Sequence, residues 1–465
     1  MSLSPQTYWA EHARVGDRLR PGVLIASGPD GRITDLRTEL PGPPPGAVAL
    51  RGLTLPGMAN AHSHAFHRAL RGRGQGGPGG RGGPDNPAAG PDADTFWTWR
   101  EGMYRIADRL TPDAYRELAV GVYAEMALAG ITCVGEFHYL HHAPGGVRYN
   151  EPNIMAIALG EAAAEAGIRL VLLDTCYLTA GFGRPPEGPQ LRFADADADA
   201  WAERVSALRP GPGPAGRIGA AAHSVRAVPA EQLGPVVRWA RDHDAPLHVH
   251  LSEQPAENEE CLAATGRTPT RLLADHGVLG PRTTAVHATH PTAGDIDLLG
   301  GSGTGVCLCP TTERDLADGI GPAADLAAAG CPLSLGSDSH AVIDLFEEAR
   351  AVEMHERLRT GVRGRFTADE LLTAACADGW AALGMPEGGR IAVGAPADLI
   401  TIDPESPRTA GVPAGEGAEP VVFAAGAADV LHTVVAGRHV VRDGIHQRVP
   451  GLAHRLAGAV TALAD

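Results

Sequence analysis

Leu55-Pro-Gly-Met-Ala-Asn-Ala-His-Ser-His-Ala-Phe-His-Arg68 is an apolar run that ends in His62-Ser-His64. In an extended strand, residues i and i+2 face the same side. The two imidazoles can therefore reach one metal ion from one side of a sheet. Pro56 and Gly57 interrupt the run just before and predict a bend into the strand. Alone, a His-x-His pair is commonplace on a half-buried strand. It gains meaning only if further ligands stand at the ends of later strands.

They do. From Leu53 onward short apolar runs alternate with helical stretches. The runs are Leu53–His62, Thr132–His138, Arg169–Cys176, Arg217–His223, Pro246–Leu251, Thr283–His287, Gly305–Cys309 and Pro332–Asp338. Between them lie Asp113–Ala129, Asn153–Ala166, Ala230–Asp242, Asp295–Leu299 and Asp344–Leu358, which read as helices. Eight strands alternating with helices predict an α/β fold, a (β/α)8 barrel. A doubly wound sheet is the competing fold, but no Gly-rich dinucleotide turn follows the first strand. Residues 1–52 hold only short β-prone pieces, and β-like patterning returns in Ala395–Ile402 and Val430–Val441. The expected division is a barrel over 53–388, with residues 1–52 and 389–465 pairing as one small, β-sandwich-like domain. Two stretches rich in Gly and Pro stand out, Arg71–Asp94 and Pro404–Glu419. Loops of that length are functional or poorly ordered; the glycines predict disorder over Gly74–Gly90 and function only at the aromatic end, Phe96-Trp-Thr-Trp-Arg100.

Barrel active sites sit at the C-terminal ends of the strands. Those ends carry His62 and His64; Glu136, His138 and Tyr139; His223 and Arg226; His248, His250 and Glu253; His287 and His290; and Asp338. Any one of these is easily explained by packing. All together they are not, because buried imidazoles and carboxylates need partners. Three histidines and an aspartate suit zinc or another borderline divalent ion, which lowers the pKa of a bound water to about 7. A neighbouring carboxylate can take and pass on the proton. His248 lies deeper than His250 and reads as a core residue. His138, His141 and His142 read as a loop-surface cluster, with a metal cluster the alternative. His340 is a candidate for the mouth of the site. Cys307 and Cys309 read as buried strand thiols.

Composition removes other classes. The chain has 465 residues and a formal charge of −16. That balance, without a basic run, argues against nucleic acid and anionic membranes. All 39 basic residues are arginine. Schiff-base lysines, phosphate-loop lysines and a carboxylated lysine bridging two metals are thereby excluded. The seven cysteines form no disulfide framework. Met1–Arg20 lacks a signal-peptide core, and no apolar stretch approaches the roughly 20 residues of a membrane span. A cytoplasmic protein is expected.

The motifs resemble the amidohydrolase superfamily over nearly the whole chain. The general marks are Pro56-Gly-Met-Ala-Asn-Ala-His-Ser-His64, His250 with Glu253, His287, Ser337-Asp338 and Gly394-Ala-Pro-Ala-Asp-Leu399. Narrower marks resemble the formimidoylglutamate deiminases of histidine degradation: His64-Ala-Phe-His-Arg68, Glu136-Phe-His-Tyr-Leu140, His223-Ser-Val-Arg226, Leu251-Ser-Glu-Gln254 and Cys309-Pro-Thr-Thr-Glu313. The resemblance implies one zinc per chain, held by His62, His64, His250 and Asp338. It implies Glu253 as acid/base and His287 as electrophilic helper. Asp338 would also accept a proton from water. Tyr139, His223 and Arg226 would bind the glutamate part of a dicarboxylate substrate, with Arg100 and His67 as further candidates. His67 stands where many members carry Gln. A homodimer is expected from the resemblance alone.

The residues support the same chemistry. A formimidoyl group needs an activated water, a proton shuttle and a partner for developing charge. Two substrate carboxylates call for arginine forks and phenol donors. A deaminase of guanine or cytosine on the same barrel would share the metal residues but want a flat pocket. A barrel that had lost catalysis and served as a scaffold would be expected to have broken ligands, and here the set is complete.

Overall fold

The computed structural model describes residues 6–73, 96–211, 213–411 and 417–464. The Gly-rich stretch Gly74–Gly90 lies outside the described residues. Two eight-stranded sheets organise the rest. The first begins with β1 (Gln6–Val15), β2 (Arg18–Ser27), β3 (Ile33–Arg37) and β4 (Val48–Pro56). The second is the barrel: β5 (Met58–Ser63), β6 (Ile131–His138), β7 (Arg169–Cys176), β8 (Arg217–Ala222), β9 (Leu247–Leu251), β10 (Thr283–His287), β11 (Gly305–Leu308) and β12 (Leu333–Leu335). The chain then returns to the first sheet with β13 (Leu399–Ile402), β14 (Val430–Val435), β15 (Arg438–Arg442) and β16 (Ile445–His446).

The barrel strands pair in parallel and in sequence order, β5 through β12. Closure between β12 and β5 is slight: one parallel bridge, Ser63 to Asp338. The other sheet is mixed, in the order β16-β15-β14-β13-β4-β1-β2-β3, so both chain ends build it. Helices between barrel strands start and stop on ordinary signals. Thr111 caps Pro112–Leu128, Asp344 caps Leu345–Thr360, and Gly167 and Gly361 end Ile154–Ala166 and Leu345–Thr360 in the left-handed conformation. Among the described residues no helix is long and apolar enough to cross a membrane.

The run Leu53–His62, read above as one strand, is two. Leu53–Pro56 belong to β4 and pair with β13, while Met58 onward pairs with β6. The changeover is Gly57, whose carbonyl accepts from Trp380 Nε1 at 2.9 Å. A Cβ there would lie 2.3 Å from the Thr132 hydroxyl, so only glycine fits. β1 was missed in the sequence because its burial alternates without a clean apolar period, QTYWAEHARV.

Asp398 explains the late mark Gly394–Leu399. Its carboxylate takes both arms of Arg169, on β7, at 2.9 Å each, and the amide of Ala436 at 2.8 Å. Arg169 and Asp398 are both buried, between barrel and mixed sheet. Removing one partner of a buried pair strands the other charge at a cost of about 3–5 kcal/mol. Asp398→Ala is expected to lower the melting temperature and denaturation midpoint markedly while leaving the metal content of the folded protein unchanged. Unchanged unfolding would show that the pair does not couple the two sheets.

Candidate metal centre and active site

The C-terminal ends of the barrel strands converge as expected. Asp338 Oδ1 lies 3.5 Å from His62 Nε2 and 3.4 Å from His64 Nε2. His250 Nε2 lies 3.2 Å from His62 Nε2. All four side chains are buried. The tautomers of His64 and His250 follow from the backbone. His64 Nδ1 donates to the Phe137 carbonyl and His250 Nδ1 to the His223 carbonyl, both at 2.9 Å. The Nε2 of His64 and of His250 is therefore a bare lone pair aimed into the cluster, as a metal ligand requires; His62 Nδ1 has no hydrogen-bond partner among the described residues. Burial holds His62, His64 and His250 well below the usual histidine pKa, so the rings are neutral, as ligation requires. Donors about 2.0–2.2 Å from a tetrahedral zinc stand about 3.3–3.6 Å apart. The donor set and its spacing fit a divalent ion of that kind.

Beside this cluster His287 Nε2 lies 3.7 Å from both Glu253 Oε1 and Asp338 Oδ2. Its Nδ1 faces Glu313 Oε1 at 3.4 Å, and Glu313 also accepts the Cys309 amide at 2.9 Å. Burial alone would push the His287 pKa down; Glu253, Glu313 and Asp338 outweigh it and hold the ring well above the usual histidine range. Burial raises the Glu253 carboxyl, with His287 opposing. His287 and Asp338 have φ of +70° and +41°, a left-handed backbone that non-glycine residues rarely adopt. Such strain clusters at functional sites.

One cavity opens onto these groups. Its walls include His64, His250, Glu253, His287 and Asp338, together with His67, Arg100, Tyr139, His223 and Arg226. Every residue that the resemblance assigns to metal, catalysis or substrate thus borders one space, except His62, which is wholly buried. His67 Nε2 and the Tyr139 hydroxyl are 2.9 Å apart, which joins two of the substrate-binding candidates. Arg100 lies over the Tyr104 ring. Trp99, from the aromatic stretch singled out in the sequence, lines the cavity with Arg100; Met103, Tyr104, Tyr177 and Phe193 also line it and were passed over in the sequence reading. Glu313 was quoted only within a motif, and Glu257 not at all. Its position four residues after Glu253 was the available signal.

Other strand-end groups take structural places. His248 Nε2 donates to the Ala382 carbonyl at 2.9 Å, as a core histidine does. Cys307 and Cys309 pack with Ala61 and Val286 in a small buried cluster. His138, His141 and His142 are not on the surface: all three are buried. His138, His141 and Asp174 come close enough to hold an ion. However, Asp174 already accepts both arms of Arg204 at 2.9 Å and Trp201 Nε1 at 3.0 Å. A second cation beside that guanidinium would meet repulsion, so the group is a buried polar network. His340 does not border the cavity mouth. It is fully buried, bonded to Ser63 and Ser337 at 3.1 and 2.9 Å.

Comparison with known proteins agrees with this geometry. The amidohydrolase family model matches residues 53–440. A formimidoylglutamate deiminase of Pseudomonas aeruginosa is 38% identical over 94% of this chain and 95% of its own. An 8-oxoguanine deaminase of the same organism is 33% identical over 80% of this chain and 79% of its own. The crystal structure of an amidohydrolase from Brucella melitensis superposes with a TM-score of 0.87 at 31% identity, covering 99% of this chain and 100% of that one. The chain therefore belongs to the amidohydrolase family, as a metal-dependent hydrolase acting on C–N bonds.

Proposed function

We propose that the protein hydrolyses N-formimidoyl-L-glutamate to N-formyl-L-glutamate and ammonia, a step of histidine degradation. The observation that carries this is the pairing, across one cavity, of the His/Asp cluster with the guanidinium of Arg226. A guanidinium matches a carboxylate in two-point geometry. Tyr139 and His223 border the same space and complete a polar wall. The similarity to a formimidoylglutamate deiminase supports the same reading.

One zinc per chain is part of the proposal, held by His62, His64, His250 and Asp338. When bound, it supplies Lewis acidity and lowers the pKa of a water. Asp338 would accept a proton from the attacking water. Glu253 delivers a proton to the departing nitrogen, so that ammonia rather than amide ion leaves. His287, held cationic between Glu253, Glu313 and Asp338, stabilises the charge that develops on the amidine nitrogen or oxygen. Addition of water and loss of ammonia balance the conversion of formimidoyl to formyl.

A second reading is a deaminase of an aromatic base. The aromatic walls Trp99, Tyr104, Tyr177 and Phe193 favour it, as does the similarity to an 8-oxoguanine deaminase. Ammonia release separates the two. The zinc-loaded protein is expected to release ammonia from N-formimidoyl-L-glutamate, not from guanine or cytosine, and chelation should abolish the activity. The reverse preference would reject the proposal.

Metal count and residue roles are read by elemental analysis beside turnover. One zinc per chain is expected; two tightly held ions would refute the single-metal site. Glu253→Gln should keep its zinc while its rate falls by about 10²–10⁴, as for a lost acid–base group. Asp338→Asn should lose rate and hold zinc less firmly, because an amide is a poorer ligand than a carboxylate. A metal-free Glu253→Gln would mean that Glu253 is a ligand. Arg226→Lys should impair turnover strongly at constant zinc, since the charge stays but the fork is lost; a variant with wild-type kcat/KM would remove Arg226 from substrate recognition.

A further inference from the structure

We propose that Glu257 is the positioning residue that aims Arg226 into the cavity and so sets the affinity for a substrate carboxylate. The inference rests on the reading above, in which Arg226 meets such a carboxylate.

Glu257 lies in the first turn of the helix Pro255–Thr265 and is 2% exposed. It does not line the cavity. Its Oε1 accepts the Ser252 amide at 3.2 Å. Its Oε2 has no hydrogen-bond partner and lies 3.6 Å from Arg226 Nε, which has none either. Two buried groups of opposite charge are each other's nearest available partner, at a distance slightly longer than a hydrogen bond.

The contact falls on one side of the guanidinium. Arg226 Nε is sealed from solvent, whereas the side chain as a whole keeps 18% exposure and borders the cavity. Among the described residues the terminal nitrogens make no hydrogen bond. Glu257 therefore occupies the inner edge of the guanidinium and leaves the outer fork for a planar anion. Arginine side chains carry several freely rotating bonds, and a fork pre-aimed at its anion loses less entropy on binding. Glu257 is itself anchored through Ser252, the residue before Glu253, whose φ is +50°. The carboxylate thus ties the recognition arginine to the turn that carries the proposed acid.

A glutamate that served only stability would act whether or not Arg226 is present. One that aims Arg226 would not. Steady-state kinetics on the zinc-loaded enzyme with N-formimidoyl-L-glutamate separate these for Glu257→Gln, Arg226→Gln and the double variant, with zinc content and melting temperature recorded for each. Glu257→Gln is expected to raise KM by about tenfold or more, a loss within the range of a misplaced binding group, with kcat within about threefold of wild type. The double variant should match Arg226→Gln alone, because the effect of Glu257 passes through that side chain. Unchanged KM in Glu257→Gln, or additive losses in the double variant, would overturn the inference. If Glu257→Gln fails to fold because Arg226 is left uncompensated, the double variant removes both charges and the comparison with Arg226→Gln still decides. Calorimetric binding of N-formyl-L-glutamate gives a readout without turnover. Wild-type protein that neither turns over the substrate nor binds this dicarboxylate would overturn the functional reading, and this inference with it. An active wild type with an indifferent Glu257→Gln overturns the inference alone.

Discussion

The seam where the barrel closes is the constraint on which the site depends. β12 is only three residues long, and the chain just after it meets β5 through a single bridge, Asp338 to Ser63. That bridge consists of two backbone bonds: the His64 amide to the Asp338 carbonyl at 3.1 Å, and the Asp338 amide to the His62 carbonyl at 3.0 Å. Side chains do the rest. Asn60 and Ser337 bond reciprocally at 2.7 and 2.9 Å. Ser337 donates to His340 Nδ1, His340 Nε2 donates to Ser63, and Ser63 donates to Glu136 at 2.7 Å. Each group in this buried chain has one direction of donation, and a fully satisfied network is rigid. His62 and His64 stand on one side of the seam and Asp338 on the other. An ion held by all three would cross-link the weakest joint of the barrel, and metal binding would then be coupled to barrel closure.

Parallel strands also set the chemistry of the candidate ligands. The carbonyl at the end of one strand receives the Nδ1–H of a histidine on the next: Phe137 for His64, His223 for His250. Backbone thereby fixes which imidazole nitrogen is free. Burial keeps these rings neutral, while the three carboxylates around His287 do the opposite a few ångströms away. One small volume thus holds neutral histidines fit to ligate and a cationic one fit to meet negative charge. The difference comes from carboxylate placement, since all four rings are buried.

The sequence by itself determined the barrel, because eight apolar runs alternating with helices leave few other ways to bury them, and it determined the polar strand ends, because those types cannot be packed without partners. His62, His64, His250 and Asp338 were legible for that reason, as were Glu253, His287 and Arg226. The tertiary structure alone decided the rest. That Leu53–His62 is two strands in two sheets depends on Thr132 crowding Gly57, a contact between distant residues. That His138, His141 and His142 are buried depends on Arg204, Asp174 and Asp195 packing over them. That His340 belongs to the seam, and Glu313 to His287, depends on strands that meet only when the barrel closes. Glu257 shows the limit most plainly: one more glutamate on an acidic helix in the sequence, it faces Arg226 only because the ends of β8 and β9 lie side by side. Periodicity and residue type report what must be buried or paired; which partner is met is a property of chain closure.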